Sequence, residues 1–80
     1  MGIGSFQEVT PNPAVPSSGQ TVTNNYGHAA LIAIWGGTVS QITVSGVNGS
    51  ATNGLIYVPI GGTLAITYSV APVWKIFLLW

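Results

Sequence analysis

Beyond Gly19, hydrophobic and polar positions follow a period of two along most of the chain. This period is typical of β-strands, because successive side chains of a strand point to opposite faces of a sheet. No window shows the period of a helix. The pattern predicts six short strands, at residues 20–25, 29–35, 38–45, 55–59, 63–70 and 73–79.

Two of these strands depart from simple alternation. Residues 29–35 are hydrophobic throughout, which favours a strand buried on both faces. In residues 38–45, the alternation shifts by one position at Ser40 and Gln41. Such a shift indicates a β-bulge, in which one extra residue enters one strand of a pair.

Turn signals built from Gly, Asn and Pro separate the predicted strands. Asn-Gly is the strongest signal for a two-residue hairpin, because both central residues of a type I′ turn need a positive φ. Short strands at regular spacing, with such turns between them, predict an all-β domain that is a small β-sandwich or barrel. The signals lie at Asn25-Tyr26-Gly27, Gly36-Gly37, Asn48-Gly49, Asn53-Gly54, Gly61-Gly62 and Pro72.

One motif occurs twice, as "GGTVSQITVSGV" at residues 36–47 and "GGTLAITYSV" at residues 61–70. In both copies Gly-Gly follows a large apolar residue, and Thr opens the next alternating strand. We interpret the two copies as the same hairpin turn used twice, once in each sheet of a sandwich. A phosphate-binding loop is disfavoured, because such loops lead into the N-terminus of a helix.

The segment 1–19 differs from the remainder of the chain. Its "TPNPAVPSSG" stretch places Pro11, Pro13 and Pro16 within six residues, and each proline lacks the N–H that a central strand or helix requires. We predict an extended N-terminal arm over residues 1–19 and a compact β domain over residues 20–80. The arm is either a free tail or a segment that docks on a neighbour through Ile3, Phe6 and Val9.

The composition of the chain predicts that it does not act as an isolated monomer. It has 80 residues and no cysteine, and only 2% of its residues are charged. A domain of this size is marginally stable alone, and disulfides are excluded as a staple. A net charge near zero also favours association. The chain is therefore predicted to form a homo-oligomer or to dock on a larger body.

The same composition leaves few groups for chemistry. Glu8, His28 and Lys75 are the only acidic, histidine and basic residues. They supply neither an acid–base pair, nor a serine triad, nor three metal ligands. One lysine does not neutralise a nucleic acid backbone, and the apolar runs are too short to span a membrane. We predict a protein that is not an enzyme, with no cofactor, metal, nucleic acid or membrane partner.

The C-terminal strand is apolar on both faces. Alternation places Trp74, Ile76, Leu78 and Trp80 on one face, and the other carries Val73, Lys75, Phe77 and Leu79. The second face is either covered within a central strand or forms a subunit interface, and we favour the interface. The predicted interface residues of arm and strand together are Ile3, Phe6, Val9, Pro11, Pro13, Pro16, Trp74, Phe77, Leu79 and Trp80.

A Pro-rich arm before a charge-poor β domain with "GGTVSQITVSGV", "VPIGGTLAITYSV" and "APVWKIF" resembles the small structural proteins of tailed bacteriophages. The likeness is to capsid decoration, or cement, proteins in particular. It implies a homotrimer on the capsid surface of the virion, which braces neighbouring subunits of the major capsid protein. It also implies that the arm lies along the capsid and extends its sheets.

A second function stays open at this point. Trp35, Tyr57 and Trp74 lie near Asn- and Thr-rich loops, and aromatic side chains ringed by polar groups are a platform for sugars. The alternative is therefore a glycan-binding or structural module of a phage head fibre or tail.

Overall fold

A computed structural model of the chain describes residues 6–49 and 51–79. These residues include no helix, and therefore no helix that could cross a membrane. They form eight β-strands in two antiparallel four-stranded sheets. The strands are β1 (Phe6–Glu8), β2 (Thr21–Thr23), β3 (Ala30–Trp35), β4 (Thr38–Val44), β5 (Val47–Asn48), β6 (Gly54–Val58), β7 (Thr63–Val70) and β8 (Val73–Leu79).

The strand order identifies the architecture. Sheet A has the order β1-β8-β3-β6, and sheet B has the order β2-β7-β4-β5. The first strand pairs with the eighth, the second with the seventh, the third with the sixth and the fourth with the fifth. This is one long hairpin rolled up so that β3–β8 and β4–β7 pairs complete the sheets. Eight antiparallel strands in two sheets with this order form a jelly roll.

The core lies between the two sheets and is built from the inward positions of five strands. Burial of a large aliphatic side chain stabilises the fold by about 1.5–3 kcal/mol relative to its exposure. Ile34, Ile42, Leu64, Ile66 and Val58 are the largest side chains with less than 2% exposure. The full buried hydrophobic set is Ala30, Ile32, Ile34, Ile42, Val58, Leu64, Ile66, Trp74, Ile76 and Leu78.

The predicted all-β sandwich is confirmed, and all six predicted strands are present with small shifts of their ends. Two further strands, β1 and β5, have three and two residues. Neither was predicted, because β1 lies in the predicted arm and β5 overlaps the predicted turn at Asn48-Gly49. The predicted bulge is also confirmed, because the register of β4 against β7 shifts between Val39 and Gln41.

The expectation that residues 29–35 form a strand buried on both faces is wrong. In β3 the inward side chains are buried, whereas Leu31 and Ala33 are half-buried and Trp35 is exposed. Neighbouring strands flank β3 within sheet A, but no element of the described chain covers its outer face. The strand is apolar on that face without being covered.

The two Gly-Gly turns are the same device, but they are not hairpins. Gly36-Gly37 carries the chain from β3 in sheet A to β4 in sheet B, and Gly61-Gly62 carries it from β6 to β7. The first glycine of each pair has φ 74°. The second makes a close approach, since a Cβ on Gly37 would lie 2.5 Å from the Val70 carbonyl oxygen and one on Gly62 would lie 3.0 Å from Pro59. The repeat therefore encodes two crossings between sheets.

The hairpin turn lies elsewhere than predicted. Ser45 and Gly46 join β4 to β5 with φ values of 49° and 80°, as a two-residue turn with both φ positive requires. Asn48, expected in a turn, lies in β5 opposite Thr43, whose hydroxyl donates a 2.9 Å hydrogen bond to the Asn48 side chain.

The described part of the predicted arm is extended, but it belongs to the sandwich. β1 extends sheet A by pairing with β8, and the amide of Val9 donates to the carbonyl of Ile76 at 2.9 Å. Further along, the carbonyl oxygens of Pro13 and Pro16 accept hydrogen bonds from buried parts of the β domain. Proline lacks an N–H but keeps its acceptor, so a Pro-rich segment can still be tied down in this way.

Candidate functional site

The outer face of sheet A is the candidate site. Antiparallel pairing aligns the outward residues of its strands in rows. One row runs from Phe77 through Leu31 to Tyr57, and the next runs from Lys75 through Ala33 to Leu55. Two further residues of β8 complete the surface: Val73 lies opposite Trp35, and Leu79 lies next to Phe77 on the same face. We name this surface the apolar outer face. Its members are Leu31, Ala33, Trp35, Leu55, Tyr57, Val73, Phe77 and Leu79.

This face exposes several large hydrophobic side chains together. Leu55 is 67% exposed, Tyr57 53%, Val73 50% and Trp35 44%. The other four members are half-buried by their neighbours in the sheet. Contiguous exposed apolar surface of this kind marks interaction sites, because isolated soluble domains rarely leave it wet.

The outer face of sheet B is the opposite in character. Its outward positions are mainly hydroxyl and amide side chains, and register places them beside one another across three strands. Such a surface is compatible with water. The members are Thr21, Thr23, Gln41, Thr43, Thr63, Ala65 and Thr67. The sandwich therefore has one largely apolar outer face and one threonine-rich outer face, although exposed Val47 and Val70 also lie on strands of sheet B.

The outer face of sheet A also carries the two charged side chains of the chain, because Lys75 lies between Val73 and Phe77 on β8 and pairs with Glu8 of β1. Lys75 Nζ lies 3.1 Å from Glu8 Oε2, with side-chain exposures of 48% and 36%. An exposed ion pair contributes about 0–1 kcal/mol, so its effect on stability is small. Covering this surface would bury the ion pair, which carries a desolvation cost that the attraction between the two charges only partly offsets.

The predicted interface residues lie in several different environments. Phe77 and Leu79 lie on the apolar outer face. Trp74 is only 4% exposed and belongs to the core, and Val9 packs against that core. Trp74 is therefore buried within the sandwich, whereas Val9 is half-buried. Pro13 and Pro16 are half-buried acceptors, whereas Pro11 is exposed. Ile3 and Trp80 lie outside the described residues, and Phe6 is in β1 opposite Leu79.

Sequence reasoning named Trp35 and Tyr57 only as a platform for sugars, and it did not predict that β3 and β6 share an apolar face with Phe77 and Leu79 of β8. Leu31, Trp35, Leu55 and Tyr57 come from β3 and β6, whose outward positions are apolar like their inward ones. When both faces of a strand are apolar, no polar residue indicates which face is exposed to solvent. The period of two does place Leu31, Ala33 and Trp35 on the same face of β3. However, only the sheet order shows that this face points away from the core.

Other site chemistries find little support within the described residues. No group of three or more His, Asp or Glu side chains there lies close enough to hold a metal ion. The aromatic platform predicted for sugars is divided, since Trp74 is buried while Trp35 and Tyr57 stay on the apolar outer face.

No protein-family model, curated protein or solved structure matches this chain. The jelly-roll assignment therefore stands on strand order and register alone. A fold of this kind hosts unrelated functions, so the function must be argued from the surface.

Proposed function

We propose that this chain is a non-enzymatic structural protein of a viral shell, which binds the capsid through the apolar outer face and stabilises it. The observation that carries the proposal is the contrast between that face and the threonine-rich face of sheet B. A protein with these two faces can pack its apolar face against a larger surface and leave its polar face exposed to water. The jelly roll supports the proposal, because viral capsid proteins use this architecture.

The energy of the contact argues for several copies acting together. A fully buried large side chain contributes about 1.5–3 kcal/mol, and Leu55, Tyr57, Val73 and Trp35 are about half exposed. Covering all four contributes roughly 3–6 kcal/mol, whereas association costs about 4–15 kcal/mol. One copy would bind weakly. Linked copies bind far more tightly through effective concentration, which supports a homo-oligomer, as in the trimer implied by the resemblance to decoration proteins.

The proposal places the protein on the capsid surface of the virion, with the major capsid protein as its partner. Capsids that lack the protein are expected to lose integrity at a lower temperature than capsids that carry it. Adding the purified protein back should restore the original temperature. Capsids of equal heat stability with and without the protein would overturn the cement role.

The face itself is tested with a matched pair of substitutions. Val73→Lys places an added charge on the apolar outer face, on β8 and away from the β6 edge, and Thr67→Lys places the same charge on the exposed face of sheet B. We expect Val73→Lys to abolish co-sedimentation with capsids and Thr67→Lys to leave it unchanged. If the two variants decorate capsids equally, the docking surface is not on sheet A.

The alternative function, a glycan-binding module of a head fibre or tail, is supported by exposed Trp35 and Tyr57 alone. Lectin domains also use the jelly roll. Binding of the isolated protein to a glycan array, lost in Trp35→Ala, would favour it over capsid binding.

A further inference from the structure

A pocket opens between the two sheets at the side where β2 forms the edge of sheet B. Its volume is about 160 Å³. Sheet A supplies the floor, β2 one wall, and the Pro-rich segment crosses the rim. The side chains that shape it are Ala30, Ile32, Trp74, Val22, Pro13 and Ala14.

The pocket follows from the lengths and sizes of these elements. β2 has three residues and does not cover the full length of sheet A. Ala30 on the floor and Ala14 on the rim are small, so they leave space where larger residues would fill it. The rim is held in place, because the Trp74 indole nitrogen donates to the Pro13 carbonyl at 2.7 Å. The pocket is thus part of the folded sandwich.

Asn24 is the buried polar side chain of the wall, and it is already satisfied, whereas Thr23 and Tyr26 line the pocket at exposed positions. The buried Asn24 amide nitrogen donates to the carbonyls of His28, Val58 and Pro59 at 2.9, 3.1 and 3.2 Å. Its oxygen accepts from the Tyr26 amide at 3.2 Å. A pocket water needs two to four polar partners, and Asn24 has little capacity left for it. The remaining lining is mostly apolar, so the pocket suits an apolar occupant.

We propose that this pocket binds one small apolar ring. An enclosed apolar protein cavity of about 150 Å³ holds benzene, and this pocket has a similar volume but is open to solvent on one side. The bound ring contacts sheet A, β2 and the Pro-rich segment at once. It therefore links three elements of a chain that has no cysteine and no disulfide. This inference is independent of capsid binding, which uses the opposite surface of sheet A.

Benzene is the probe for the test, and the full-length protein is the sample. Binding to the folded state raises the unfolding temperature in proportion to the logarithm of ligand concentration above Kd. We expect that rise, together with saturable shifts of the Trp74 indole N–H and Ile32 methyl signals in NMR spectra. The absence of such shifts up to the solubility limit of benzene would overturn the proposal.

Ala14→Leu fills the pocket from its exposed rim, so folding should tolerate it. We expect this variant to lose the benzene-induced rise in unfolding temperature and the Ile32 shift. Ala71→Leu, on the exposed loop between β7 and β8, is the matched control and should keep both responses. Equal responses of the two variants would show that benzene acts elsewhere, and the proposal would fail.

Discussion

The indole nitrogen of Trp74 donates a 2.7 Å hydrogen bond to the carbonyl oxygen of Pro13, which lies 61 residues earlier in the chain. Buried Trp and Tyr side chains need a partner for their polar atoms. The Tyr68 hydroxyl meets the same need by donating to the Pro16 carbonyl at 2.7 Å. The Pro-rich segment therefore supplies acceptors on which the β domain depends.

Deleting residues 1–18 should destabilise the sandwich. The deletion removes β1 and the acceptors of buried Trp74 and half-buried Tyr68, and a buried polar group left without a partner costs about 1–3 kcal/mol. The sequence pattern alone predicts the reverse, that residues 20–80 fold without the arm. We expect a large drop in the urea midpoint, or loss of the β-sheet circular dichroism signal.

Pro13→Ala and Pro16→Ala are the controls, because both keep the carbonyl acceptor. Each should change the free energy of unfolding by no more than about 1 kcal/mol. A truncated chain with the urea midpoint of the full chain would contradict the structural role of the segment.

The first Gly-Gly crossing gives a second prediction. A Cβ at Gly37 would lie 2.5 Å from the Val70 oxygen and 2.6 Å from the Ala71 oxygen, whereas one at Gly36 meets nothing within 4 Å. Both glycines have positive φ. Gly36→Ala should therefore lower the free energy of unfolding by about 1 kcal/mol. Gly37→Ala should lower it by about 2–4 kcal/mol, because the new Cβ also clashes with backbone oxygens. Urea unfolding of the two variants measures the difference, and equal costs would refute the close approach.

Asn24 gives a third prediction, through an isosteric change. Asn24→Asp keeps the size of the side chain but removes the amide that donates to Val58 and Pro59. A buried carboxylate beside carbonyl oxygens is unfavourable, so we expect a loss of about 3 kcal/mol or more at neutral pH. Thermal unfolding of both variants measures the effect. Asn25→Asp, at the exposed neighbouring position, should leave the unfolding temperature nearly unchanged. A small effect at both positions would exclude a structural role for the amide.

The edge of sheet A gives a fourth prediction. β6 is an edge strand, and it exposes Leu55 and Tyr57 without any charge or internal proline. Such edges favour association between chains. We expect the purified protein to sediment as an oligomer, and Leu55→Lys to shift it toward the 8.2 kDa monomer. Thr67→Lys serves as the charge-matched control, and a wild-type chain that is monomeric at micromolar concentration would contradict the prediction.

The sequence by itself determined the elements whose pattern is local. In β8, alternation correctly separates the inward Trp74, Ile76 and Leu78 from the outward Phe77 and Leu79. The bulge near Gln41 was predictable for the same reason, since an extra residue shifts the phase of its own strand. Strand positions follow from a period of two, which needs no knowledge of partners.

Only the tertiary structure decided which strands share a sheet. It therefore also decided which residues lie together on the outer face of sheet A, the candidate site. Glu8 and Lys75 are 67 residues apart, and they meet only because β1 pairs with β8. The Gly-Gly turns look like hairpins until sheet order shows that they cross between sheets. β3 and β6 are apolar on both faces, so their residues do not indicate which face is outward. Pairing between distant strands depends on the packing of the whole chain, and no local period carries that information.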